Sequence, residues 1–368
     1  MAKKERISTN QYVWMLFIII TSYTTLQILA MLIFHAGRDA WLSVVAAWFL
    51  DVLLAVIYAY MGIRFPGQNM IGYSITILGK YFGRIIGLMF SIFFLIVASL
   101  LMRSISMLLG NMILPSTPIT VIIFFGYLLV CYAVKKGIEV IARACEVLGP
   151  VYLFMLVLLI ALILPIVKIN RLKPQFMNGA YPSVSGSMFI LPYIGICIIM
   201  GMYIPVCERK EDGFIGKFTA VSLGTSITCA LVALCIGVFG AEQAGDMVNV
   251  GSILVMMIDI GEIFQRVEIL WLIIAIGAGI MTVTNLLWAF DIGISEILGL
   301  SSYKPIVYPS VLIAFILSVS AFDSNLEILK FAYYSYPFIG IFIETGLEVF
   351  LFIMALVLKK KGNPKQNT

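Results

Sequence analysis

Residues 12–33 read YVWMLFIIITSYTTLQILAMLI, from Tyr12 to Ile33 without one charged side chain. A helix of about twenty apolar residues matches the ~30 Å hydrocarbon layer of a bilayer. The run follows Lys3, Lys4 and Arg6, as a signal peptide would, but it is too long for a signal core and has no small-residue cleavage site. It is expected to stay in the membrane as an anchor. Its interior is unusual: Thr21, Ser22, Tyr23, Thr24 and Thr25 are five consecutive hydroxyl side chains.

The pattern of that stretch repeats along the 368 residues. Further apolar runs fall at 41–63, 84–110, 118–135, 146–167, 187–207, 217–240, 268–291, 305–321 and 335–358. Apolar residues make up 62% of the chain and charged residues 12%, about half the proportion of an ordinary soluble domain. So few charges leave too little polar surface for a soluble protein of this length, so lipid is the expected solvent. A net charge of +5 does not indicate nucleic acid, because the basic residues lie in short clusters between the apolar runs. With the N-terminus inside, the clusters Lys3/Lys4/Arg6, Arg64/Lys80/Arg84, Lys135/Lys136/Arg143, Arg209/Lys210/Lys217 and Lys359/Lys360/Lys361 all fall on the cytoplasmic side. The outer side keeps only Arg38, Lys168, Arg171, Lys173, Arg266 and Lys330. Both termini are therefore expected in the cytoplasm.

An extracellular stretch at 168–186, with Pro174, Gly179, Pro182 and Gly186, divides the chain into repeats at about 10–167 and 187–358, followed by a basic tail at 359–368. Five spans on each side of an outer linker give the second half the opposite topology to the first, as in an inverted repeat. The reading is one all-α transmembrane domain of ten helices. The outer segment 241–267 has an apolar middle too short to span, and is expected to be re-entrant or to lie on the surface.

Most enzyme chemistry is excluded. The six cysteines show no Cys-x-x-Cys pair, and His35 is the only histidine, so neither a zinc site nor a histidine triad can be assembled. The stretch from Leu78 to Tyr81 contains Gly-Lys but lacks the rest of a phosphate loop. No cofactor is expected.

Function is therefore sought where polarity enters the membrane. In the third span, Ser99, Arg103 and Ser106 share a helical face, with Asp51, Glu344 and Glu348 as candidate counter-charges for Arg103. The hydroxyl run in the first span has a counterpart in the sixth, where Pro192, Tyr193, Ile194 and Gly195 precede Gly201 and Pro205. Both are expected to loosen their helices and to bind a small molecule. Thr282, Thr284 and Asn285 of the eighth span would line the cavity. Gly83 and Gly87 form a weak dimerisation motif, and Asp291 is expected at a membrane interface.

The run Ala36-Gly37-Arg38-Asp39-Ala40-Trp41 resembles a hallmark of spore germinant-receptor B subunits. Leu172-Lys173-Pro174, Phe264-Gln265-Arg266-Val267-Glu268 and Tyr336-Pro337-Phe338-Ile339-Gly340 resemble further family segments, and Arg103 falls where the family carries a third-span arginine. The resemblance covers about residues 10–360. It implies the amino acid–polyamine–organocation superfamily and the LeuT-like, five-plus-five fold of amino-acid permeases. It also implies a nutrient sensor, often for L-amino acids, in the inner membrane of a bacterial spore, working beside an A subunit and a lipoprotein C subunit. The ligand is then expected between the first, third, sixth, eighth and tenth spans. A secondary amino-acid transporter coupled to protons or sodium is the alternative. The chain departs from the family in having no glycine in its first-span interruption, so ligand identity does not carry over.

Overall fold

The computed structural model describes residues 5–177, 179–257, 267–322 and 324–362. The regular structure of the described residues is all helical, joined by turns and short loops, with an isolated parallel bridge between Ile7 and Cys207. That bridge ties the N-terminus to the sixth span through Ile7 N–H to Val206 O and Glu208 N–H to Ile7 O, both 3.0 Å.

The first half contains α1 (Thr9–Tyr23), α2 (Leu29–Ala36), α3 (Ala40–Arg64), α4 (Met70–Leu78), α5 (Lys80–Met112), α6 (Ile119–Lys136) and α7 (Ile138–Ile163). The second half contains α8 (Tyr181–Gly195), α9 (Met200–Tyr203), α10 (Gly213–Phe239), α11 (Ala241–Asp246), α12 (Val250–Met256), α13 (Val267–Leu298), α14 (Val307–Ser320), α15 (Asn325–Lys330), α16 (Tyr336–Gly340) and α17 (Glu348–Val357). Local chemistry sets the ends. Ser8 and Gln11 form a capping box on α1, and Asn69 accepts from Ile71 N–H and Gly72 N–H to start α4. Gly137, at φ +98°, separates α6 from α7 with a backbone that other residues rarely adopt.

Eight helical segments are long and apolar enough to cross a membrane: Leu29–Arg64, Lys80–Met112, Ile119–Lys136, Ile138–Ile166, Tyr181–Val206, Gly213–Phe239, Trp271–Leu298 and Leu326–Val357. Two expected spans fall short of a straight crossing as single helices. α1 has 15 residues before the helix changes pitch, and α14 has 14. Polarity is arranged as lipid requires. Phe49, Leu53, Phe125 and Phe154 project outward, while Asp51, Lys217, Asn285, Glu344 and Glu348 are buried.

α1 packs on α7, α10 and α13, α3 packs on both α8 and α10, and α5 lies along α13. The α1–α10 and α8–α3 contacts join the first span of each half to the second span of the other. The 241–267 segment begins with two short helices, α11 and α12, and α11 rests against α2. Residues 258–266, and with them most of the Phe264–Glu268 segment, lie outside the described residues.

Asp291 is fully buried within the protein. One expectation is corrected here. Gly83 is an internal crossing point where α4 lies on α5. A Cβ there would stand 2.4 Å from Ile75 Cα and 2.5 Å from Ser74 O, both backbone atoms. Gly83→Ala is therefore expected to push α4 outward and cost about 1–3 kcal/mol, read as a lower unfolding midpoint of the purified protein.

Candidate functional site

The hydroxyl run distorts the first span without unwinding it. Thr21 donates to Phe17 O at 2.7 Å, Thr24 to Ile20 O at 2.8 Å, and Thr25 to Thr21 O. Side-chain donors on these carbonyls compete with the α-helical amides. The helix widens into a π-helical segment over Thr24–Ile28 before α2 resumes. In the sixth span Pro192 removes an amide, and after Gly195 the chain tightens into a 3-10 turn over Ile196–Ile199. Both interruptions remain helical. Neither offers the open half-helix N-terminus expected of a loosened span.

Between them lies a cluster of aromatic rings in contact with one another. Tyr23 and Tyr193 have ring centroids 5.4 Å apart, Tyr193 and Tyr336 4.7 Å, and Tyr23 and Tyr336 5.8 Å. Phe93 of the third span stacks on Tyr336 at 6.1 Å. The tenth span enters with small steps of four residues. Tyr336 meets Tyr193, Gly340 meets Pro192, and Glu344 meets Gly195. A Cβ on Gly340 would be 2.5 Å from Pro192 Cβ, and one on Gly195 would be 2.5 Å from Glu344 Oε2. Glycine at both places is what brings a carboxylate to the sixth-span interruption. The Tyr193 hydroxyl is spent on Ala332 O, whereas Glu344 Oε1 is buried with no hydrogen-bond partner.

A second polar cluster continues from Glu344. Lys217 Nζ lies 3.0 Å from Asp51 Oδ1, and both side chains are fully buried. The ammonium also sits 4.5 Å over the Tyr58 ring, whose hydroxyl donates to Glu344 O at 2.5 Å. Tyr73 of α4 donates to Glu348 Oε1 at 2.6 Å. Asp51 Oδ2 and Glu348 Oε2 have no hydrogen-bond partner.

The other expected residues divide into separate places. Ser22 pairs with Thr282 at 2.7 Å, Thr24 with Thr228 at 3.0 Å and Thr25 with the Tyr152 hydroxyl at 3.2 Å. These hydroxyls fasten the first span to α13, α10 and α7. Thr284 bonds back to Ile280 O at 2.8 Å, and Asn285 accepts from the Tyr203 hydroxyl at 2.7 Å. Ser99 and Ser106 bond back to their own helix. Arg103 Nη1 donates to Ser318 O of α14 at 3.3 Å and makes no ion pair with Asp51, Glu344 or Glu348. The counter-charge expected from Asp51 goes to Lys217 instead. Of the expected set, Tyr23, Tyr193, Gly195 and Glu344 meet at the tyrosine cluster.

On the side of the 168–186 linker, a cavity of about 1210 Å³ is lined by His35, Arg38, Asp39, Arg171, Glu242 and Asp246, among others. Of these, His35 stacks on Phe189 at 5.4 Å and bonds to the Tyr333 hydroxyl at 3.0 Å, and Phe189 touches Tyr193 at 5.7 Å. A short column of rings thus connects the cavity lining to the tyrosine cluster.

Comparison with known proteins adds the family. A sequence profile described as spore germination protein matches residues 6–326. The chain belongs to the spore germination protein family. Spore germination protein KB of Bacillus subtilis (strain 168) is 26% identical over 334 residues, 89% of each chain. Spore germination protein YndE of the same organism is 25% identical over 260 residues, 70% of this chain and 72% of that one. In three dimensions the chain is similar to Mhp1, a nucleobase-cation-symport-1 family transporter, in a closed conformation with bromovinylhydantoin bound. The TM-score is 0.74 at 12% identity, over 97% of this chain and 79% of Mhp1. The fold is that of LeuT-like transporters, and no catalytic activity is indicated.

Within this germination-family fold, Lys217, Tyr58 and Tyr73 were not expected in the interior. Lys217 reads as a loop cation because it lies near the start of an apolar run. The available signal was Asp51, a mid-span carboxylate that needed a cation. Tyr336 was visible only as part of a family segment.

Proposed function

We propose that this protein is the nutrient-sensing subunit of a spore germinant receptor, binding an amino acid or similar small nutrient at the Tyr23–Tyr193–Gly195–Glu344 cluster. The observation that carries the reading is the convergence there of both distorted helices and a buried carboxyl group whose Oε1 has no hydrogen-bond partner. An ionisable side chain buried in a membrane interior is costly and points to function. Ligand binding would favour one arrangement of the helices through its differential affinity, and A and C subunits would read that arrangement. The hydroxyls of Ser22, Thr24 and Thr25, with Thr282, hold the first span in register. Arg103 orders α5 against α14. The two halves act as inverted repeats in the inner membrane of the spore, with both termini in the cytoplasm, in keeping with the basic clusters.

Co-purification from spore membranes tests the reading. Stoichiometric A-type and C-type partners are expected, together with a nutrient dose–response that depends on this chain. Recovery of the chain alone, with germination unchanged in its absence, would overturn it. The likeness to Mhp1 favours a second reading, a coupled amino-acid transporter. Gradient-driven accumulation of an amino acid in proteoliposomes would select the transporter, and its absence the sensor.

A further inference from the structure

We infer that the interior acids of the tenth span form a proton-binding site, in which Glu344 and Glu348 hold two exchangeable protons beside the Asp51–Lys217 pair. The inference does not rest on the nutrient reading and would stand in a protein that binds no nutrient. Its basis is a charge count in a closed place. Asp51, Lys217, Glu344 and Glu348 are each buried to within 1%. Lys217 Nζ lies 3.0 Å from Asp51 Oδ1 and is within electrostatic reach of both glutamates. Three carboxyl groups therefore share one ammonium.

A bare carboxylate in such a medium is costly, and more so beside a second one. One ammonium balances one carboxylate, and two protons balance the other two. The hydrogen bonds follow that division. Lys217 goes to Asp51 and to neither glutamate. Tyr73 donates to Glu348 Oε1 at 2.6 Å, which leaves Oε2, without a hydrogen bond, to carry a proton. Glu344 Oε1 is in the same state. The remaining groups do not change the count. Tyr58 is bonded to Glu344 O, and the Arg64 guanidinium is bonded to the backbone at Ala355 and Lys360, about two turns along from Glu348. Tyr23, Tyr193, Tyr336 and Cys197, which approach from the first, sixth and tenth spans, are ordinarily uncharged.

The site also has a way to exchange its protons. Glu344 and Glu348 are four residues apart and share a helical face. Tyr73 belongs to α4, the short helix between Arg64 and Lys80, and covers Glu348 from the side of those basic residues. Displacement of α4 would uncover Glu348 and release its proton to solvent. The carboxylate left behind would compete with Asp51 for Lys217, so that one proton links the tenth span to the α3–α10 pair.

The test uses the purified full-length protein in detergent. Infrared spectroscopy at neutral pH reads un-ionised carboxyl groups through a carbonyl band that carboxylates lack. The wild type is expected to show that band, and Glu344→Gln and Glu348→Gln should each remove part of it. Asp291, also buried with no hydrogen-bond partner, contributes to the rest, and Asp291→Asn isolates its share. Thermal unfolding as a function of pH gives a second reading. Above the ordinary carboxylate range, at about pH 4, unfolding releases the held protons, so stability falls as pH rises. Each proton lowers the folded-to-unfolded ratio about tenfold per pH unit, until the folded site itself ionises. Each glutamine variant should remove one such tenfold step. Should one variant fail to fold, the other carries the same two readings. A carbonyl band or a pH slope unchanged in both variants would overturn the inference. A rise in unfolding temperature with sodium that both variants abolish would assign the acids to a metal cation, and would overturn it as well.

Discussion

Lys217→Met is expected to be the most damaging single substitution in the interior, costing about 3–5 kcal/mol. The substitution keeps much of the side chain's length but leaves Asp51 as a fully buried carboxylate whose ion-pair partner is gone. It also removes the ammonium from the Tyr58 ring, and Tyr58 anchors the tenth span through Glu344 O. The pair itself contributes little net stability, because desolvating both ions offsets most of their attraction. Asp51→Leu with Lys217→Met should therefore recover most of the loss. Thermal unfolding and the yield of monodisperse protein for the two singles and the double form a cycle that reads this directly. A double variant no better than Lys217→Met would show that the site does not depend on charge pairing.

Gly195→Ala should cost less stability and more function. The backbone at Gly195 has φ −66°, which any residue tolerates, so the penalty is one of space. Its new methyl would lie 2.5 Å from Glu344 Oε2. The tenth span cannot easily withdraw, since Gly340 already sits against Pro192 and Tyr58 holds Glu344 O. The carboxylate must swing away instead. Overpacking of this kind costs about 1–3 kcal/mol. Displacing the carboxyl group from the sixth-span interruption should shift the nutrient dose–response by roughly 10- to 100-fold at normal protein level. Adding Glu344→Asp shortens the acid by one methylene and should restore part of the stability. A wild-type germination response in Gly195→Ala spores would remove this crossing from the nutrient site.

The membrane character, the approximate extent of the spans and the two interrupted helices were legible in the sequence, because each depends on local composition. What was hidden depends on which helices meet. Asp51 and Lys217 are far apart in the chain and come together only because α3 packs on α10. Arg103 looked like the natural partner for the buried acids, but its face turns toward α14. The hydroxyls from Ser22 to Thr25 read as ligand contacts because unpaired polar groups are costly in lipid. Ser22, Thr24 and Thr25 find partners in Thr282, Thr228 and Tyr152, a pairing visible only once the helices are docked. Gly195 and Glu344 were each recognisable alone, but their contact was not.

The wide segment at Thr24–Ile28 gives the first span one residue of slack. If that segment closed to α-helical pairing, α1 and α2 would turn relative to each other by about 100° and slide about 1.5 Å, with the rod still unbroken. Tyr23 lies at the junction, so the turn would carry its ring off Tyr193 and Tyr336. The tenth span carries the same kind of slack at Phe331–Ser335 and Ile341–Leu347, on either side of Gly340. Two spans that meet at one tyrosine cluster thus each carry slack that rotation can take up, and the wide segment of the first span does so without a glycine.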